Sequence, residues 1–286
     1  MYSDNAVIDK QGADEILKNI SIPPCPAVVL SLLKEAEQPD VDFNKLAKLI
    51  SGDVSLAVAM LKMANSPFFA LRNKVSSVQM ALSVLGLKNI IQLVRGLALR
   101  QAMGSVPMER FWDRSQYSAI VSSKIASGIH GISREDAYTY GLFHDCGIPI
   151  LMQKYPDYKQ KLAEANRSAD LVISIEDQHY STNHALVGSM LARTWFLPKL
   201  LSQAILKHHD HSIFEDSNED GDVCSLVAIA MISEHVVATY LQLPDDAEWL
   251  TCGNAAMEYL GLGAEELAEI TEDCLSELDE MQSYRG

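Results

Sequence analysis

Basic residues are almost missing from the C-terminal part of this 286-residue chain. Residues 207–286 hold 2 Lys+Arg against 19 Asp+Glu, a net charge of −17, while residues 1–206 sum to +2. Such a field repels phosphate backbones, and the near-neutral remainder has no basic stripe that could bind nucleic acid by releasing counterions. A nucleic-acid partner is therefore not expected. There is no uninterrupted apolar run of about 20 residues, as a membrane span requires, since Lys88, Gln92, Arg95 and Arg100 punctuate even the segment from Leu85 to Met103. The N-terminus, MYSDNAVIDKQGADEIL, lacks the basic-then-apolar order of a secretory signal. These absences predict a cytoplasmic protein with no membrane partner, and Met1 with the acidic C-terminus reads as a free-standing chain. The five cysteines, Cys25, Cys146, Cys224, Cys252 and Cys274, are odd in number and form no CxxC pair. That argues against zinc knuckles and dithiol redox chemistry and leaves buried free thiols. Alternating strand patterns and internal repeats are absent.

What is present is helical text. Hydrophobic residues make up 48% of the chain and recur at spacings of three and four: Ile16, Leu17, Ile20; Val28, Val29, Leu32, Leu33; Leu46, Leu49, Ile50. The reading is all-α, on the order of a dozen helices. Leu56, Leu61, Leu82, Leu85, Leu142, Phe143, Leu186 and Leu191 are expected in the core. Asp42 and Asp53 are placed as N-caps, Asn65-Ser66-Pro67 ends a helix, Gly86 stops another, and Ser133-Arg134-Glu135-Asp136 reads as a capping box. Gly104-Ser105-Val106-Pro107 is the expected seam between an N-terminal lobe, residues 1–106, and a C-terminal lobe, residues 107–286, packed as one body. Asp210 to Asp222 reads as a flexible polar loop. The acidic end, with Leu260, Leu262, Leu267, Ile270, Leu275, Leu278 and Met281 near helical spacing, reads as helices with a solvated face.

Two regions invite a functional reading. Phe43 to Ile50 and Val54 to Asn65, joined by Ser51-Gly52-Asp53, have the shape of a helix-turn-helix. The second helix, however, offers only Lys62 and Asn65 beyond serine for base edges. Packing is the preferred reading there. The C-terminal half carries Phe143-His144-Asp145-Cys146-Gly147, Asn183-His184-Ala185 and His208-His209-Asp210-His211. Imidazoles and a carboxylate converging from separate helices are the donor set of a divalent metal. The same residues could instead cap helices and satisfy buried carbonyls.

These motifs together resemble the HDOD (HD-related output domain) family. The resemblance runs through Ile22-Pro23-Pro24-Cys25-Pro26, Ile50-Ser51-Gly52-Asp53-Val54-Ser55-Leu56, Leu61-Lys62-Met63-Ala64-Asn65-Ser66 and Ala81-Leu82-Ser83-Val84-Leu85-Gly86. It continues in Phe111-Trp112, Gly141-Leu142-Phe143-His144-Asp145-Cys146-Gly147, His184-Ala185-Leu186-Val187-Gly188 and Ala204-Ile205-Leu206-Lys207-His208-His209, covering roughly residues 15 to 212. It implies a multi-helix orthogonal bundle in two closely packed lobes, the C-terminal one built like an HD phosphohydrolase, used in bacteria for signalling. His144, Asp145, His184 and His208 match metal-binding positions of the HD pattern. The position resembling the early histidine is Arg114, and the late aspartate is replaced by Glu234. An arginine cannot ligate a metal, and Arg114 is expected to face the cluster and block it. The resemblance thus implies a degenerate site with no cofactor, or at most a weakly held iron, manganese or zinc, in a non-catalytic module that acts through protein partners. The competing reading is a metal-dependent phosphohydrolase or phosphodiesterase acting on a nucleotide, for which Lys207 and Arg193 are the nearby candidates to meet phosphate. No Gly-Tyr-Pro motif supports it.

Overall fold

The computed structural model describes residues 20–104, 108–165, 172–216, 218–244 and 247–285. Ile16 and Leu17, and residues 105–107 of the expected seam, lie outside the described residues. Among the described residues every regular element is helical. The N-terminal lobe comprises α1 (Ala27–Ala36), α2 (Phe43–Ser51), α3 (Val54–Ala64), a 3-10 turn at Pro67–Phe69 and α4 (Val78–Ala102). Its boundaries follow local chemistry. The Asp42 carboxylate accepts from the N–H groups of Asn44 and Lys45, and Asp53 accepts from that of Leu56, so both expected caps are in place. Asn65 closes α3 by donating to the carbonyls of Leu61 and Val75, each at 2.8 Å, and accepts the Val75 N–H at 2.7 Å. Gly86 adopts φ 77° and ψ 166°, which breaks α4 into two arms where a side-chain-bearing residue would be strained. The second arm starts without an intervening loop.

The C-terminal lobe comprises α5 (Glu109–Ala126), α6 (Arg134–Phe143), α7 (Gly147–Lys154), α8 (Tyr158–Ala165), α9 (Val172–Tyr180), α10 (His184–Thr194) and α11 (Lys199–Lys207). It continues with a 3-10 turn at His211–Phe214, α12 (Gly221–Tyr240), α13 (Ala247–Leu260) and α14 (Ala264–Arg285). Ser133 caps α6 by accepting from the Asp136 N–H and donating its hydroxyl to the Asp136 carboxylate. Helix α12 is the central post, buried on nearly all sides through Val223, Leu226, Val227, Ile229, Ile232 and Val236. By length and composition α4 and α12 could each cross a bilayer, but 67% of the most apolar window of α12 is buried inside the protein.

One hydrophobic cluster extends from Ile20 to Met281 and joins the lobes. Trp195, wholly buried, donates its indole N–H to the Pro23 carbonyl at 3.0 Å. Arg95 donates to the Phe196 carbonyl at 3.1 Å, and Gln153 to that of Met103 at 2.9 Å. Of the expected core residues, Leu56, Leu82, Leu85, Phe143, Leu186 and Leu191 are buried, while Leu61 and Leu142 are half-buried against the same core. Each buried leucine contributes about 1.5–3 kcal/mol. The cysteines are free, with Cys146, Cys224 and Cys274 buried. Two expectations change. The segment after Asp210 is anchored rather than loose, because Ile213 is buried and His211 bonds to Glu248. The packing expected of α3 holds for one face only, through Leu56, Met60 and Ala64, since Val54 and Val58 are 73% and 62% exposed.

Candidate metal centre in the C-terminal lobe

The site begins at the end of α6. His144 is the C-cap residue, and Asp145-Cys146 turns the chain directly into α7. Glycines on either side make this turn possible. A Cβ on Gly141 would lie 2.7 Å from the Ser118 carbonyl oxygen of α5, and one on Gly147 would lie 2.0 Å from the His184 carbonyl oxygen of α10. Their absence lets three helices meet around the His-Asp doublet. His184 is the first residue of α10, capped by Asn183, and His208 follows the last turn of α11.

The four residues singled out from the sequence come together. The Asp145 carboxylate has Oδ2 3.5 Å from His144 Nε2, and Oδ1 3.4 Å from His184 Nε2 and 3.6 Å from His208 Nε2. These separations exceed those of good hydrogen bonds and suit groups arranged about a shared centre. The Nδ1 side of each ring is already committed. His144 Nδ1 faces the Gly141 carbonyl at 2.8 Å, His208 Nδ1 that of Ile205 at 2.7 Å, and His184 Nδ1 the Glu176 carboxylate at 2.7 Å. Glu176, buried on α9, also accepts the His184 backbone N–H at 2.9 Å and a hydrogen bond from the Tyr158 hydroxyl. With Nδ1 of each ring so engaged, the Nε2 atoms are the ones that point inward, which is how metal-ligating histidines are oriented. His184 Nε2 lies 3.1 Å from His208 Nε2 and 2.9 Å from His209 Nε2. Lone pairs that close repel unless a proton or a cation lies among them. The donor set therefore fits a divalent transition metal.

More residues join than the sequence indicated. Glu234 of α12 places Oε1 3.2 Å from His144 Nε2, so the residue assigned to the late-aspartate position does reach the cluster. His209 Nδ1 donates to Glu248 of α13 at 2.7 and 2.9 Å, and His211 Nε2 bonds to the same carboxylate. His209 and His211 stood in the His208-His209-Asp210-His211 run, whereas nothing pointed to Glu176 or Glu248. Arg114 behaves differently from expectation. It is exposed on α5, whose buried face begins at Ser115, because a guanidinium on an amphipathic helix gains by keeping its hydration. Arg193 is also exposed, and Lys207 is paired with Glu219.

Protons offset part of the carboxylate charge in the cluster. Burial alone would lower His144, but the Asp145 and Glu234 carboxylates outweigh it and hold the ring up to about 9. His209 is likewise raised to about 9, burial being overcome chiefly by Glu248. His208, desolvated and beside the His209 charge, is pushed down to about 4 despite Asp145. Asp145 stays well below the usual carboxylate range because its neighbouring imidazoles, His144 foremost, overcome its burial.

Comparison with known proteins agrees with this architecture. An HDOD-domain model matches residues 22–211. An uncharacterized protein of Treponema pallidum is 29% identical over 195 residues, covering 66% of this chain and 38% of that protein. The cyclic di-GMP phosphodiesterase CdgJ of Vibrio cholerae is 24% identical over 173 residues, covering 57% of this chain and 40% of CdgJ. The matches thus span less than half the length of either relative. Among solved structures, a proposed phosphohydrolase from Shewanella amazonensis superposes with a TM-score of 0.72 at 20% identity, covering 96% of this chain and 97% of the other. The motif order, the helical architecture and the match over residues 22–211 lead to one conclusion: the chain belongs to the HDOD-domain family.

Proposed function

We propose that this chain is a signal-transduction module that works through protein partners and does not turn over a phosphoester. The observation that carries the reading is the closed, anionic character of the histidine cluster. The side chains of His144, His184 and His208 are 3% exposed or less. Asp145, Glu234 and Glu248 form the more open edge, and among the described residues no lysine or arginine ion-pairs with any of them. A phosphodiester needs cationic groups beside the metal to bind and to stabilise the transition state. Lys207 and Arg193 do not supply them, the first being held by Glu219 and the second facing solvent.

The cluster nonetheless retains the means to hold a metal. His184, His208, His209 and Asp145 are the residues that would bind it. A divalent ion there would supply a cross-link between helices and, given an open position, Lewis acidity. The cross-link suits a signalling module, because it fixes the relative placement of α6, α10 and α11 without requiring a substrate. The similarity to CdgJ keeps one alternative specific, hydrolysis of cyclic di-GMP.

The test is incubation of the full chain with Mn²⁺, Fe²⁺ or Zn²⁺ and cyclic di-GMP. No product above the metal-only control is expected. Hydrolysis that is abolished by Asp145→Ala would replace this reading with the phosphodiesterase one. In parallel, crosslinking in cells should trap a protein partner that Asp145→Ala still captures if signalling requires no turnover.

A further inference from the structure

Glu248 lies outside the matched HDOD region, on the first turn of α13, yet it is bonded into the histidine cluster. Its geometry repeats that of Glu176. Each carboxylate takes the Nδ1 side of a histidine at 2.7 Å, Glu176 that of His184 and Glu248 that of His209. Each thereby turns the Nε2 of its histidine toward the other, and the two nitrogens stand 2.9 Å apart. The difference lies in what holds the carboxylate. Glu176 is fixed inside the lobe by the Tyr158 hydroxyl and by the backbone of α10. Glu248 is held through the histidines themselves, His209 and His211, and through the seating of α13 on α12, where Trp249 stacks on His235 with ring centroids 3.9 Å apart and planes at 10°. Leu250, the next residue, is 73% exposed, so α13 is attached along one side.

We propose that Glu248 is a positioning residue that makes docking of the C-terminal helix α13 and metal occupancy of the histidine cluster mutually dependent. A divalent transition metal held by the Nε2 atoms of His184, His208 and His209 requires His209 in the ring orientation that Glu248 fixes. Carboxylates behind metal-bound histidines raise ligand basicity and orient the ring. By linkage, whatever Glu248 adds to metal affinity the metal returns as tighter docking of α13. The C-terminal extension is then the element through which the state of the buried site reaches the surface. This goes beyond the reading of the chain as a signalling module and stands whether or not a phosphoester is hydrolysed.

The test uses the full chain, stripped with chelator, with Zn²⁺ alone as the probe and two readouts. In the unmodified protein, Zn²⁺ is expected to slow amide hydrogen exchange across residues 247–260. Glu248→Gln is expected to weaken Zn²⁺ binding by about 10–100-fold and to leave exchange in 247–260 indifferent to zinc. Leu250→Ser, on the same helix but outside the cluster, should preserve both zinc affinity and zinc-dependent protection. The proposal is overturned if Zn²⁺ does not bind the unmodified protein, or if it binds without protecting residues 247–260. It is equally overturned if Glu248→Gln binds as the unmodified chain does, or if Leu250→Ser loses as much as Glu248→Gln. The exchange measurement on the unmodified protein requires no variant to fold. Partner capture in cells reports on the signalling reading separately.

Discussion

The two lobes are built from the same helical grammar and put it to different use. In the N-terminal lobe, polar residues at helix ends serve the backbone: Asp42 and Asp53 cap helices, and Asn65 ties α3 to Val75. In the C-terminal lobe, the polar residues at the ends of α6, α10 and α11 face one another. All eight histidines of the chain follow residue 107. The same helix-to-helix turn is therefore a packing joint in one lobe and a chemical site in the other. The distinction lies in how closely the helix ends approach, and that rests on small residues rather than on the charged ones.

The sharpest way to break this contrast is to add one methyl group to a turn in each lobe. Gly147→Ala would drive Cβ to within 2.0 Å of the His184 backbone oxygen, where nothing flexible can give way. Loss of several kcal/mol is expected, on the order of 3–5, together with separation of His184 from Asp145, measured by denaturation and by loss of Zn²⁺ binding. Gly52→Ala, with φ −64° and its nearest contact a 3.3 Å approach to the Leu49 carbonyl, should change stability by about 1 kcal/mol or less. Equal effects at the two sites would show that the approach at Gly147 is not what assembles the cluster.

A pH series sharpens the comparison with a smaller effect. In the metal-free protein His144 and His209 are raised to about 9 from an ordinary value of 6.5. Their stabilisation is fully present below pH 6.5 and is lost as pH rises through about 9. His208 is lowered to about 4, so its contribution is present above pH 6.5 and is lost as pH falls toward 4. Stability of the metal-free chain should thus peak near pH 6.5 and decline by a few kcal/mol toward pH 9. Hydrogen exchange should place the change in residues 134–240 and leave residues 27–102 much less affected. A flat profile, or one centred on the N-terminal lobe, would contradict the charge balance described for the cluster.

The smallest effect is expected at the N-terminal surface. Val58→Ser removes an exposed side chain from α3, and unfolding free energy should move by no more than about 0.5 kcal/mol. A loss above about 1 kcal/mol would mean that this face of α3 is covered in solution.

Much of this was legible in the residues themselves. Apolar spacing predicted helices throughout, because one buried face per helix writes a period of 3.6 into the sequence. The caps at Asp42, Asp53 and Ser133 were legible because they act over two or three residues. His144, Asp145, His184 and His208 were found through motifs that keep their order along the chain. Arg114 was misplaced because a position counted from Trp112 does not tell which face of α5 it occupies. The looseness expected after Asp210 was overturned by His211, whose partner Glu248 lies 37 residues downstream.

The sequence by itself therefore determined the helical class, several helix caps and the order of the histidine motifs, all of which are local or periodic properties of the chain. Only the tertiary structure decided which nitrogen of each imidazole faces inward, that Glu176 and Glu248 stand behind His184 and His209, and that Arg114 faces water. Ring orientation and carboxylate placement depend on where helices cross in space. Crossing is settled by packing between residues far apart in the chain, and no local spacing records it.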